Sequence, residues 1–168
     1  KKEEDWSLND RDHVFSPSFI YNQINGGEDA GSFIDEAFEL VQEKGVAPWS
    51  LMPYDDLDFT SQPSDDASVE AKKYRIRPFR RVDDINQAKA QLATGSPLVV
   101  CIAMDSSLAL LDPGEVYDRF GRGRRGRHAI CLVGYDNNMG SSGAFKFINS
   151  WGSGWSDGGY GWVSYDWV

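Results

Sequence analysis

The sequence is poor in several residue types at once. Its 168 residues include only two cysteines and two histidines, and its 17 lysines and arginines face 26 aspartates and glutamates. No apolar run reaches the roughly 18 residues that a membrane-crossing helix requires, so no membrane span is expected. The charged start, Lys1 to Asp5, lacks the apolar stretch of a secretory signal. A net charge of −9 excludes general affinity for nucleic acid, and no nucleic-acid partner is expected. Two cysteines cannot build a disulfide framework or a cysteine-rich zinc site. Each lies in an apolar run, Cys101 in PLVVCIAM and Cys131 in HAICLVGY, so both are expected to be reduced thiols in the core. They leave the compartment open. His13 and His128 are too far apart in sequence to suggest a metal constellation, and no metal or other cofactor is expected.

What is present suits one domain with a sizeable core, since 40% of the residues are hydrophobic and 13% aromatic. The opening KKEEDWSLNDRDH reads as the charged end of a helix whose apolar face lies upstream. SPSFIYNQI predicts a short helix capped by Ser16, with Pro17 in its first turn and Gly26-Gly27 as its stop. GSFIDEAFELVQEKG carries Phe33, Ile34, Ala37, Phe38 and Val41 on one helical stripe, with Gly45 past the end. Residues 46–73, with Pro48, Pro53, Pro63 and two acidic stretches, predict a long surface loop. YRIRPF then looks like a strand, and DDINQAKAQLATG like a helix capped by Asp83 or Asp84. PLVVCIAM, HAICLVGYD, AFKFINSW and GYGWVSYDWV predict strands separated by turn-rich segments. Helices early and strands late imply an α+β fold whose C-terminal half forms an antiparallel sheet or partly closed barrel.

His128 opens one of these strands, and Asn149 follows 21 residues later within INSWGSGW. Antiparallel neighbours would bring the two side by side, where the asparagine amide oxygen accepts the imidazole N–H and fixes the ring without adding charge. Taken alone, either residue is more commonly an ordinary strand-end polar group. The surrounding residues decide otherwise. HAICLVGYD followed by FKFINSWGSGWSDGGYGWV resembles the papain-like (C1) cysteine peptidases, in which His-Ala opens one strand and Asn-Ser-Trp-Gly follows the next. SPSFIYNQ and EDAGSFIDEAFELVQEKGVAPWSLMPYD resemble earlier segments of the same family in the same order, so the likeness covers nearly the whole chain. It is closer to bacterial members, because the bracing cysteine pairs of the plant enzymes are absent.

The resemblance implies a papain-like fold, its N-terminal helical part packed on the C-terminal sheet or barrel. It implies one incomplete domain over residues 1–168: residues 1–60 as the remainder of the helical subdomain and residues 61–168 as a mainly β-barrel subdomain. It makes His128 the general base and acid, Asn149 its orienter and Trp151 an indole cover over their hydrogen bond. Gly31, Ser32 and Phe33 match the segment that holds substrate backbone, and Cys101 and Ala129 fall where the family lines its main specificity pocket. The partner implied is a peptide or protein substrate.

The nucleophile motif of the family, Cys-Gly-(Ser/Ala)-Cys-(Trp/Tyr), does not occur in this sequence, nor does its oxyanion-hole glutamine segment. In papain the histidine and asparagine lie about 130 to 150 residues after that cysteine, a span that runs back beyond Lys1. A missing N-terminal segment bearing the cysteine is therefore the expected second partner. Cys131 stands three residues from His128 on one strand and so faces the other way, while Cys101 lacks the helix N-terminus or cation that activates a thiolate. This chain alone is expected to be inactive. Three functions remain open: a cysteine peptidase, a papain-fold module that binds peptides or a partner without cleaving, and an acyl transferase using the same Cys–His–Asn set.

Two further features stand out. RFGRGRRGR places Arg119, Arg122, Arg124, Arg125 and Arg127 directly before His128 in an otherwise acidic chain. The simpler expectation is a flexible solvated loop, and the functional one is a surface for acidic substrate groups. Trp151, Trp155, Tyr160, Trp162, Tyr165 and Trp167 could suggest a stacking surface for sugars or bases, but Trp162, Ser164 and Asp166 alternate with Val163, Tyr165 and Trp167 as strand residues do, which favours core packing.

Overall fold

The computed structural model describes residues 9–121 and 123–168. The first eight residues, with most of the charged opening, and Arg122 lie outside the described residues. The chain divides between Arg80 and Arg81 into two compact units, whereas the sequence-based grouping divides at residue 60.

In the first unit, helix α1 (Pro17–Ile24) begins as the sequence predicts: the Ser16 hydroxyl accepts from the Phe19 N–H at 3.0 Å, and Pro17 occupies the first turn. Helix α2 (Ile34–Glu43) ends before Gly45, whose φ of +85° continues the chain in a conformation that suits glycine. Phe19 of α1 and Leu40 of α2 meet Val46, Ala47, Met52, Ala67 and Ala71 in one buried cluster.

The last two of these residues belong to a helix that corrects the loop expectation for 46–73. Helix α3 (Asp65–Ala71) is capped by Ser64, whose hydroxyl accepts from the Ala67 N–H at 3.2 Å. Its buried face consists of two alanines, too faint an apolar signal to stand out among prolines and aspartates. The rest of the excursion is held by α1: buried Asn22 donates to the carbonyls of Asp58 and Ser61, and buried Asn25 to that of Phe59 at 2.7 Å. YRIRPF alternates as a strand should, with Tyr74 and Ile76 half-buried and Arg75 and Arg77 exposed, but among the described residues it forms no strand.

The second unit opens with helix α4 (Ile85–Ala93), whose cap Asp84 accepts from the N–H groups of Asn86 and Gln87. Five strands follow: β1 (Leu98–Met104), β2 (Val116–Tyr117), β3 (Gly126–Asp136), β4 (Ala144–Ile148) and β5 (Tyr160–Ser164). Among the described residues they form one sheet in the order β1-β3-β4-β5-β2. All neighbours are antiparallel except β2, which runs parallel to β5. The chain is thus α+β. Strand β5 stops at Ser164, and Tyr165–Trp167 continues as a turn of 3-10 helix rather than as strand.

The sheet is open in its pairing, but side chains draw its two edges together. The Tyr117 hydroxyl of β2 accepts from the Asp105 N–H just past β1 at 3.1 Å, and the Trp167 indole donates to the Ala103 carbonyl of β1 at 2.9 Å. The core lies on the face carrying Ile102, Ile130 and Leu132, with Phe145, Phe147 and Val163 from β4 and β5 and Ala88 and Leu92 from α4. Each large buried apolar side chain contributes about 1.5–3 kcal/mol relative to exposure.

Candidate active site

The site is built by β3, the end of β4 and the loop that follows. His128 lies on β3 in register with Ile102 of β1, on the same face as buried Ile130 and Leu132. Cys131 of β3 pairs with Ile148 of β4, so Asn149 leaves β4 alongside β3. The result is a hydrogen bond of 2.9 Å between His128 Nε2 and Asn149 Oδ1.

The direction of that bond follows from a second contact. Asn149 Oδ1 also accepts the Ser150 N–H at 2.8 Å, which identifies this atom as the amide oxygen. An amide oxygen cannot donate, so the imidazole donates from Nε2, and its neutral form presents a lone pair at Nδ1. The Asn149 backbone N–H in turn donates to the Gly159 carbonyl at 2.9 Å, and the Gly159 N–H to Trp155 at 2.8 Å. The Gly/Ser-rich loop therefore closes on itself and holds Asn149 from behind. The amide nitrogen of Asn149 is buried without a hydrogen-bond partner among the described residues.

The Trp151 indole stacks on the His128 ring, with centroids 5.0 Å apart and planes inclined by 28°. Trp151 meets Trp155 edge-on at 5.5 Å, and Trp155 is tied to the core through Phe147 and through its indole N–H to the Leu108 carbonyl. Gly161 makes room for this packing, because a Cβ there would lie 2.8 Å from both the Phe147 and the Trp155 rings. Sequence reasoning placed Trp155 only among the core aromatics, and it did not single out Ser150 or Gly159, whose parts are played by backbone groups.

Cys101 and Ala129 are also brought together, as directly opposed residues of β1 and β3. They occupy the other face of the sheet, and Cys101 is exposed, which corrects the expectation of a core thiol. The apolar run of β1 conceals an alternation in which Ile102 faces the core and Cys101 faces away. Cys131 shares that outer face but is half-buried, and burial raises its thiol pKa. Among the described residues no cluster of histidine, cysteine, aspartate and glutamate is arranged to hold a metal.

Gly31, Ser32 and Phe33 belong to the first unit, where all three are exposed and Phe33 leaves 72% of its surface open. The segment is tethered by the Tyr21 hydroxyl, which donates to Asp29 at 2.6 Å and accepts the Gly31 N–H at 3.3 Å. Asp29 accordingly raises the pKa of Tyr21. Nothing in the local sequence marked Tyr21 for this role, since its partners lie eight and ten residues away across a turn.

His128 is held by an asparagine oxygen beneath an indole, and comparison with known proteins identifies the family. The sequence profile of the papain family cysteine proteases matches residues 21–167, and the chain belongs to that family. An uncharacterised peptidase C1-like protein of Acanthamoeba polyphaga mimivirus is 29% identical over 93% of this chain and 56% of its own length. A cathepsin L-like protein of Caenorhabditis elegans is 29% identical over 77% of this chain and 39% of its own. The chain therefore spans about half the length, or less, of these curated relatives.

Among solved structures, xylellain, a cysteine protease from the bacterium Xylella fastidiosa, superposes with a TM-score of 0.77 at 28% identity over 92% of this chain and 65% of that one. Bromelain from Ananas comosus gives 0.68 at 20% identity over 90% and 68%. The fold is papain-like.

Proposed function

We propose that this chain is the base-bearing part of a peptidase that hydrolyses peptide bonds by Cys–His–Asn catalysis, its cysteine supplied by a segment that precedes Lys1. The observation that carries the reading is the 2.9 Å bond from His128 to Asn149, with Asn149 Oδ1 fixed as acceptor by Ser150. It turns the basic Nδ1 of His128 away from the asparagine, free to take a thiol proton. The resulting thiolate adds to the substrate carbonyl, and the imidazolium returns its proton to the amine as the C–N bond breaks. Water, deprotonated by His128, then cleaves the thioester and regenerates the thiol.

In this reading Asn149 orients the ring and Trp151 keeps water from their bond. Gly31, Ser32 and Phe33 hold substrate backbone, and the opposed pair Cys101 and Ala129 lines a small apolar specificity pocket. The half-buried Cys131, its pKa raised, is no candidate for the nucleophile.

The test is expression of the longer reading frame and assay against fluorogenic peptides. Turnover should fall by about 10²- to 10⁴-fold in His128→Ala. Turnover that survives this change would remove the mechanism. A folded protein that binds peptides, retains His128 and hydrolyses none would instead establish the non-cleaving module.

A further inference from the structure

The arginine-rich segment before His128 is unexplained by the catalytic reading. It is a braced structure rather than a free loop. The Arg125 guanidinium lies 4.0 Å from the centroid of the Phe120 ring, Phe120 packs on Trp167 at 4.8 Å, and Trp167 is bonded to β1. Gly121 donates its N–H to the Ser107 hydroxyl, which itself donates to the carboxylate of Asp105. A Cβ at Gly121 would stand 2.8 Å from the Ser107 Cβ, and one at Gly123 would stand 2.7 Å from the Ser106 hydroxyl. The interleaved glycines therefore serve close seating of the backbone on residues 106–107.

Seating fixes where the charge is presented. Arg119 is paired with Asp118 at 3.5 Å and is otherwise exposed. Arg124 and Arg127 are exposed and make no ion pair among the described residues. Arg127 lies on β3 immediately before His128 and shares the outer face of the sheet with Ala129, two residues along. A chain with net charge −9 thus gathers exposed guanidinium groups in one segment, which runs into the strand of its candidate catalytic base on the face that carries Ala129.

We propose that Arg119, Arg124, Arg125 and Arg127 form a recognition surface for acidic polypeptide segments, which gives the neighbouring site a preference for substrates carrying glutamate or aspartate beside the scissile bond. Guanidinium forks match carboxylates in bidentate geometry. The patch is short, and the acidic remainder of the surface repels a long polyanion, so a few carboxylates on a peptide fit where a nucleic acid strand does not. The proposal rests on the reading of the chain as a peptide-handling protein.

The test is calorimetric titration of the 168-residue chain with an octapeptide of alternating glutamate and alanine. Its glutamine counterpart and an oligonucleotide of equal charge serve as comparisons. The acidic peptide should bind at least tenfold more tightly than the glutamine peptide, and its affinity should fall as salt rises. Arg124→Ser combined with Arg125→Ser should bring the two peptides within about twofold. Equal affinities in the wild type, an unchanged preference in the double variant, or oligonucleotide binding as tight as that of the acidic peptide would each overturn the proposal. Acidic-peptide binding by a full-length protein that hydrolyses nothing would keep this proposal and remove the peptidase reading. Hydrolysis without acidic preference would do the reverse.

Discussion

The imidazole of His128 has two ring nitrogens, and the assignment of its roles turns on one backbone N–H. Because Ser150 donates to Asn149 Oδ1, the asparagine cannot present its amide nitrogen to the histidine without losing that bond. Replacing Asn149 with alanine removes the acceptor that selects the Nε2–H tautomer, while the backbone bond from residue 149 to the Gly159 carbonyl persists. In a protein that carries the proposed cysteine segment this variant should fold normally and lose on the order of 10²-fold in kcat with a smaller change in KM. An equal fall in far-UV ellipticity and activity would instead assign Asn149 a structural part. The two thiols differ at the same scale. Cys101 is exposed, whereas Cys131 is half-buried and its pKa raised by that burial. Iodoacetamide at pH 8 should therefore alkylate Cys101 several times faster than Cys131, as peptide mass mapping of timed samples will read. Faster labelling of Cys131 would contradict its burial.

Elements whose signals are local were legible in the sequence. Ser16 and Asp84 announce α1 and α4 because a cap needs only a side-chain oxygen and the N–H groups two or three residues on. The strands β1, β3 and β4 are apolar enough to be seen, and the His128–Asn149 pair was visible through its flanking motif. What escaped depends on distant partners. YRIRPF has the alternation of a strand but joins no sheet among the described residues, α3 buries only two alanines, and the exposure of Cys101 depends on which face of β1 the core covers. The seat of the arginine segment was hidden for the same reason, since it rests on Asp105, which is 1% exposed and belongs to the end of another element. The Ser107 hydroxyl, more than any other contact, holds the Asp105 carboxyl below the usual range; burial opposes it, and Tyr117 assists. A depressed folded pKa means that the ionised group stabilises the fold above the unfolded carboxylate value, near pKa 3.9, and that this stability is lost as pH falls through the folded value. The thermal midpoint of Asp105→Asn should therefore lie below that of the wild type at pH 6, and the gap should narrow toward pH 3. A gap independent of pH would show that the carboxylate charge contributes nothing there.

At the scale of the whole molecule, the two buried clusters have no residue in common. One gathers Phe19, Leu40, Ala67 and their neighbours before Arg80, and the other gathers Ile102, Leu132, Phe145 and their neighbours after it. The His128–Asn149 pair depends on the second, because β3 and β4 set its register. Leu132→Ala removes a fully buried side chain from that register and should cost about 2–5 kcal/mol. Native-state hydrogen exchange locates the loss. The amides of β1, β3 and β4 should lose protection by the full amount, corresponding to roughly 30-fold or more in exchange rate. Amides of α1 and α2 should keep theirs if each cluster opens by itself. An equal loss at Phe19, Leu40 and Phe147 would mean that the clusters unfold as one cooperative body, and the stability of the histidine–asparagine pair would then depend on the helical part as fully as on the sheet.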